Sequence, residues 1–177
     1  SKLPALRSRV FVGIKYGKVL PTVAVSIAIR SEDGRIFVEG IDCRPARGGT
    51  DWIISFLKSI DVQAIAVDGA NGQQILTEAM KDARIHAPIL PTVKDVIAAY
   101  ATFEQRLAAK ELCHMGQPSM IQSVTNCEKR TIGSNGGFGY KSINDAVDVS
   151  LLDSMVLAQW VCGMKTRKVK RQQRASC

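Results

Sequence analysis

Residues 63–69, which read QAIAVDG, decide the fold of this chain. They form a short, continuous apolar run closed by a carboxylate and a glycine, a pattern typical of a parallel strand buried on both faces. Because ligands bind at the carboxyl ends of the strands in an open α/β sheet, we expect Asp68 to face the functional site. The alternative is a structural role, in which Asp68 caps a helix that begins near Asn71.

Helices and strands alternate around this run. The periodicity predicts a helix over residues 51–60 capped by Thr50 or Asp51, a second over 71–84, a short strand over 87–90, and a long helix over 92–110. Such alternation requires parallel strands joined by crossover helices.

The chain before residue 50 has the pattern of an antiparallel meander. Three strands are predicted, over residues 10–15, 22–30 and 35–41, and residues 31–34 have the composition of a hairpin turn. Together with the alternating segment they predict an α/β fold with a mixed sheet, in which three antiparallel strands are followed by parallel ones.

The last third of the sequence contains a glycine-rich hairpin and a helix. Residues 129–132 and 138–141 flank the segment GSNGG, and residues 147–163 are apolar on a helical period that we expect Gly163 to end. A further short helix is predicted over residues 117–126.

Length, composition and charge limit the possible classes of protein. The chain has 177 residues, of which 46% are hydrophobic and 23% charged, so collagen-like, disordered and coiled-coil classes are excluded. The net charge of +8 belongs to the two ends, because residues 1–9 and 164–177 contain basic but no acidic residues. We therefore predict one domain over residues 10–163 between two basic segments, each of which is either solvated or in contact with nucleic acid.

Several other functions are not supported by the sequence. No apolar run reaches the ~18 residues that a membrane span needs, so no membrane partner is expected. Five cysteines without a C-x-x-C pair argue against a disulfide framework or a zinc ribbon, and favour a reducing compartment. The P-loop signature is absent, so nothing in the sequence indicates ATP hydrolysis.

Two more acidic residues are candidates for the functional site. Asp153 lies inside the final apolar helix, where an ionised group needs a partner or a metal. Asp148 lies near the start of that helix, where a carboxylate also interacts favourably with the helix dipole. Carboxylates brought together from strands and a late helix suit Mg²⁺ or Mn²⁺, and two such ions can activate water for phosphodiester cleavage.

The predicted hairpin carries basic residues on both arms. Lys129 and Arg130 lie on the first arm and Lys141 on the second, positions from which they can contact a nucleic-acid phosphate. They are the candidate DNA-backbone contacts.

These segments together resemble the C-terminal nuclease domain of the large terminase subunits of tailed phages, a branch of the ribonuclease H-like superfamily. The resemblance spans about residues 10–163. It rests on Val12-Gly13-Ile14, Ala66-Val67-Asp68-Gly69, residues 129–140 (KRTIGSNGGFGY) and residues 148–160 (DVSLLDSMVLAQW).

The resemblance implies a metal-dependent endonuclease that cuts concatemeric double-stranded viral DNA during genome packaging in the host cytoplasm. It implies the portal, the terminase small subunit and a preceding ATPase domain as partners, and one or two Mg²⁺ or Mn²⁺ ions as cofactors. By position, Asp68 matches the second metal ligand of the family and Asp153 the third, with Asp148 as an auxiliary acid.

The sequence departs from the family at the first ligand, where Lys15 stands in place of the usual aspartate. Three explanations are open: an inactivating substitution, replacement of the ligand by Asp148 or Glu39, or a lysine that pairs with Asp68 and leaves one metal site. The alternative function is therefore a nuclease-like module that binds DNA or a packaging partner without cutting. A junction resolvase is a further alternative.

Overall fold

In the part of the chain that the structure describes, a five-stranded sheet is flanked by four α-helices, and a two-stranded hairpin lies beside it. The computed structural model describes residues 9–17, 21–31, 34–70, 72–114, 127–132, 137–142 and 149–175, with the backbone alone for 114, 127–132, 137–142 and 165–175. Its strands are β1 (Val10–Tyr16), β2 (Thr22–Arg30), β3 (Ile36–Pro45), β4 (Val62–Asp68), β5 (Leu112–His114), β6 (Cys127–Ile132) and β7 (Gly137–Ser142). Its helices are α1 (Asp51–Lys58), α2 (Gln73–Asp82), α3 (Val93–Ala108) and α4 (Ser150–Ala175).

The strand order in the main sheet is β4-β1-β2-β3-β5. The first three strands form the predicted antiparallel meander, and β4 pairs with β1 in parallel. Strand β5 pairs in parallel with the outer edge of β3. The predicted α/β class with a mixed sheet is therefore confirmed.

Two features of the sheet differ from the prediction. The strand expected over residues 87–90 is a single parallel bridge, in which Ile89 exchanges backbone hydrogen bonds with Ile65 and Val67. Pro88 and Pro91 flank this bridge, and proline has no N–H with which to extend the ladder. Strand β5 was not predicted, because three residues are too few to show an alternating pattern.

The helices follow the prediction except at the end of α4 and at the start of α1, where Thr50 is the N-cap residue but its side chain makes no capping hydrogen bond. Helix α3 begins with a capping box between Thr92 and Asp95, and α2 begins after Gly72, so Asp68 does not cap it. The expected end of α4 at Gly163 is wrong, because the helix continues to Ala175. At Gly163 an added Cβ would lie 2.2 Å from a guanidinium nitrogen of Arg106, so this glycine admits a neighbouring side chain instead of ending the helix.

The predicted glycine-rich hairpin is present as β6 and β7, which pair antiparallel. Strand β7 lies against α3, which places the hairpin next to the main domain. The tip of the hairpin, the helix predicted over residues 117–126, and Asp148 lie outside the described residues. The division between a domain ending at residue 163 and a basic tail stays a prediction.

The sheet separates two hydrophobic cores. On one face, named here the α1/α2 face, the apolar residues of β1 and β2 pack against Ile53 and Leu57 of α1 and against Leu76 and Met80 of α2. On the other, the α3/α4 face, Phe11, Ile36, Val38 and several alanines of the strands pack against Phe103 of α3 and the apolar side of α4. No helix in the described part of the chain is long and apolar enough to cross a membrane.

Helix α4 crosses the sheet at very short range. An added Cβ at Gly13 of β1 would lie 2.1 Å from the backbone oxygen of Ser154 and 2.5 Å from the backbone nitrogen of Ala158. The hydroxyl oxygens of Ser26 and Ser154 are 2.5 Å apart at the same crossing. Glycine at position 13 is therefore what allows α4 to lie directly on β1.

Candidate functional site

An ion pair stands at the carboxyl ends of the parallel strands β1 and β4. Lys15 Nζ of β1 donates a hydrogen bond to Asp68 Oδ2 of β4 over 2.6 Å. The Lys15 side chain is 8% exposed and the Asp68 side chain 23% exposed, so the pair is largely removed from water while the carboxylate remains accessible. The ion pair between Lys15 and Asp68, one of the three explanations offered by the sequence, is present in the structure.

The backbone holds the two residues opposite each other. Lys15 and Asp68 are direct partners in the parallel register of β1 and β4. Their chain neighbours Ile14 and Val67 point to the α1/α2 core and are fully buried. Because side chains alternate along a strand, Lys15 and Asp68 both lie on the α3/α4 face.

The turn after Asp68 is fixed against the end of β1. Gly69 has φ +120°, and an added Cβ there would lie 2.6 Å from the backbone oxygen of Tyr16. At Gly72 an added Cβ would lie 2.2 Å from the Tyr16 ring. Burial raises the pKa of the Tyr16 hydroxyl, so the side chain that packs against this turn is uncharged. These contacts preorganise the position of Asp68.

The second predicted carboxylate has a different partner. Asp153 lies in the first turn of α4, is 6% exposed, and accepts a short hydrogen bond from the hydroxyl of Tyr100 on α3. This arrangement fulfils the expectation that an acid at this position needs a partner. Tyr100 was not among the predicted site residues.

Helix α4 begins at the end of the sheet where β1 and β4 end. The hydroxyl oxygens of Ser150 and Thr22 are 3.4 Å apart, and the carbonyl of Thr22 accepts a hydrogen bond from the amide of Gly17, just beyond β1. The structure therefore brings Asp153 to the same end of the same face as Lys15 and Asp68.

A polar network continues between α3 and α4, farther from this end. Arg106 donates to both the backbone and the side-chain oxygen of Gln159, whose amide nitrogen donates to the carbonyls of Ala99 and Val156. Burial raises the pKa of the nearby Cys162 thiol, and this effect outweighs the opposing influence of neighbouring arginines. Cys162 is therefore a protonated core residue and not a nucleophile.

Other predicted residues lie elsewhere. Glu39 was considered as a replacement ligand. Its neighbour Gly40 faces α4, because an added Cβ there would meet Met155. Side chains alternate along a strand, so Glu39 lies on the face of the sheet opposite to the Lys15–Asp68 pair. Lys129, Arg130 and Lys141 lie on the hairpin strands β6 and β7.

Of the three ligands predicted for one or two metal ions, Asp68 and Asp153 lie within the described residues and do not form a metal centre by themselves, while Asp148 lies outside them. Carboxylate oxygens are the correct donors for Mg²⁺ or Mn²⁺, but the Asp68 carboxylate is already neutralised by an ammonium group 2.6 Å away. Within the ranges that the structure describes, there is also no group of three His, Cys, Asp or Glu side chains with metal-binding geometry.

The sequence analysis did not identify Tyr100 and Tyr16 as site residues, because each lies in a segment whose pattern is typical of core residues. Tyr100 falls on the apolar side of an amphipathic helix, which is typical of a core residue, and its partner is 53 residues away. The one available signal was chemical, since a buried tyrosine hydroxyl generally has a hydrogen-bond partner.

The fold is similar to that of solved phage large terminases. The HK97 bacteriophage large terminase matches with a TM-score of 0.69 and 12% identity, over 90% of this chain and 41% of that chain. The large terminase nuclease of thermophilic phage G20c matches with a TM-score of 0.63 and 12% identity, over 86% of this chain and 81% of that one. The G20c nuclease structure with bound magnesium gives a TM-score of 0.59, 12% identity, and coverage of 86% and 80%.

Sequence comparison adds no relative, since no protein-family model and no curated protein matches the chain. This chain spans less than half the length of the HK97 protein and most of the G20c nuclease. At 12% identity these structures establish the fold alone. The resemblance found in the sequence is therefore confirmed as a resemblance of fold. The chain has a fold similar to that of the solved phage large terminases.

Proposed function

We propose that the chain is the nuclease-type domain of a viral large terminase and acts on double-stranded DNA during genome packaging. One observation carries the proposal: Asp68 stands, partly exposed, where β4 ends beside β1, and α4 begins at the same end with Asp153 in its first turn. In an open α/β sheet this is where a substrate binds.

The hairpin supports contact with DNA. Its strands β6 and β7 carry Lys129, Arg130 and Lys141, and β7 lies against α3, the helix that also positions Asp153 through Tyr100. A basic hairpin beside the candidate site supplies phosphate contacts that orient a duplex without reading its sequence. The net charge of +8 favours the same polyanionic partner.

The geometry favours a domain that holds DNA over one that cuts it unaided. Lys15 neutralises Asp68, and a charged lysine cannot ligate a metal ion. The hairpin residues then bind DNA phosphates, and Tyr100 fixes Asp153. In the intact packaging machine, such a domain grips DNA beside the predicted ATPase domain, portal and small subunit in the host cytoplasm.

The second candidate is the metal-dependent endonuclease implied by the sequence resemblance. The shared position of Asp68 and Asp153 at one end of the α3/α4 face favours it, as does the magnesium bound in the similarly folded G20c nuclease. In this form Asp68 and Asp153, with Asp148 as an auxiliary acid, would hold Mg²⁺ or Mn²⁺, and the ion would serve to activate a water molecule. It requires Lys15 to release Asp68.

Two assays on the same preparation distinguish these functions. Fluorescence anisotropy measures binding to a ~30-base-pair duplex, and plasmid nicking is followed with Mg²⁺, Mn²⁺ or EDTA. We expect salt-sensitive duplex binding in EDTA and no metal-dependent nicking. Neutralising Lys129, Arg130 and Lys141 together should weaken binding and reduce the salt slope by up to about 3.

A matched variant makes the outcome decisive. Metal-dependent nicking by the wild type that is lost in Asp68→Asn would establish the endonuclease and refute the non-cutting form. Absence of duplex binding at low salt by the folded protein would refute both.

A further inference from the structure

The Lys15 ammonium is built into the sheet and is not a surface charge that happens to touch an acid. Its side chain is 8% exposed and extends from β1 at the position that faces α4, next to the fully buried Ile14. A lysine is rarely buried unless its charge is paired, because the charged form loses its hydration. The partner that satisfies this requirement is Asp68, at 2.6 Å.

The acidic partner is also held in place from two directions. The parallel register sets Asp68 opposite Lys15, and the next residue, Gly69, lies with φ +120° against the backbone of Tyr16. Neither end of the ion pair therefore depends on a flexible loop. The pair is preformed, so an incoming cation meets a carboxylate whose charge is already balanced.

We propose that Lys15 Nζ is the resident cation of the Asp68 carboxylate and excludes divalent metal from it. A divalent ion bound to Asp68 would lie within a few ångströms of the ammonium group, in a partly desolvated place where like charges repel strongly. The inference rests on the proposed function only in taking Asp68 to face DNA.

Mn²⁺ binding in the absence of DNA tests this directly. Electron paramagnetic resonance measures the free Mn²⁺ in titrations of the wild type, Lys15→Asn and Lys15→Met. We expect Lys15→Asn, which removes the ammonium and supplies an amide oxygen, to bind Mn²⁺ at least about tenfold more tightly than the wild type. Lys15→Met, which has nearly the same shape and no charge, should gain less, and adding Asp68→Asn to either variant should abolish the gain.

Thermal unfolding gives an independent reading, since an ion that binds the native state alone raises Tm. Mn²⁺ should raise the Tm of Lys15→Asn and leave that of the wild type unchanged.

Two results would overturn the proposal. One is wild-type Mn²⁺ binding that disappears in Asp68→Asn, which shows that the carboxylate accepts metal while Lys15 is present, and which needs no Lys15 variant to fold. The other is a folded Lys15→Asn or Lys15→Met protein that gains no Mn²⁺ affinity. Because neither DNA nor cleavage enters the titration, failure here is distinguishable from failure of the proposed DNA-binding function.

Discussion

The two faces of the central sheet bury different chemistry. The α1/α2 face is lined by branched apolar residues and one tyrosine, packed against apolar positions of the two short helices. The α3/α4 face carries Phe11, Ile36 and Val38 together with glycine, alanine and serine on its strands, and within the described chain it contains all of the buried polar or charged residues. These are Lys15, Ser26, Ser150, Asp153, Ser154 and Gln159.

This difference separates what stabilises the fold from what builds the site. Burial of branched apolar side chains contributes free energy without requiring exact partners. Buried polar groups contribute little net stability and are costly when a partner is missing, so each one must be matched. The α3/α4 face therefore specifies one position for α4, and with it the positions of Asp153 and the Lys15–Asp68 pair.

The largest effect is expected where α4 touches β1. Gly13→Ala places a methyl group 2.1 Å from a backbone oxygen, and backbone atoms cannot move aside as a flexible side chain can. We expect a loss of more than about 3 kcal/mol in the free energy of unfolding, measured by urea denaturation. Gly48→Ala is the control, because an added Cβ there meets nothing within 4 Å. Equal stability of the two variants would show that α4 does not lie on β1.

A core truncation on the α1/α2 face should affect stability alone. Leu76 is fully buried against this face, and Leu76→Ala should cost about 2–5 kcal/mol through lost burial and the cavity left behind. Duplex affinity per folded molecule should stay at the wild-type value, as measured by anisotropy at a temperature where the variant is folded. A loss of DNA affinity in the folded variant would end the separation of roles between the two faces.

Removal of the Tyr100 hydroxyl should show how much the hydrogen bond from α3 stabilises Asp153. Tyr100→Phe leaves the ring in place but deletes the donor to a buried carboxylate, at an expected cost of about 2 kcal/mol. The same change in an Asp153→Asn background should cost less, since the charge that requires the donor is gone. If Tyr100→Phe lowers the free energy of unfolding by the same amount in the wild type and in Asp153→Asn, Tyr100 does not act through Asp153.

The smallest effect concerns the serine pair at the helix crossing. Ser26→Ala and Ser154→Ala should each cost about 1 kcal/mol, because each leaves the other hydroxyl without this partner. The double variant should be no less stable than the worse single variant. Strictly additive losses in the same denaturation experiment would argue against a direct hydrogen bond between the two residues.

Local sequence patterns predicted most of the fold. The strands β1, β2 and β4 consist of apolar residues bounded by glycine or turn residues, so their positions follow from the local sequence. Gly163 misled the prediction because a glycine that admits Arg106 is indistinguishable in sequence from one that ends a helix. The bridge at Ile89 and the strand β5 depend on neighbours distant in the chain.

The site was only partly predictable, for the same reason. Asp68 follows from its place at the end of a buried strand, and Asp153 from being an acid among apolar helix residues. Tyr100 acquires its role only when α3 packs against α4, which no local pattern records. The Lys15–Asp68 pair was one of three open explanations, and the strand register is what brings the two side chains together.

The central claim is that Lys15 occupies the cation position on Asp68, and anomalous diffraction from wild-type crystals soaked in Mn²⁺ tests it most directly. We expect Lys15 Nζ within hydrogen-bond distance of Asp68 and no anomalous peak on that carboxylate. A Mn²⁺ peak coordinated by Asp68, with the Lys15 side chain displaced, would contradict it and favour the metal-dependent endonuclease.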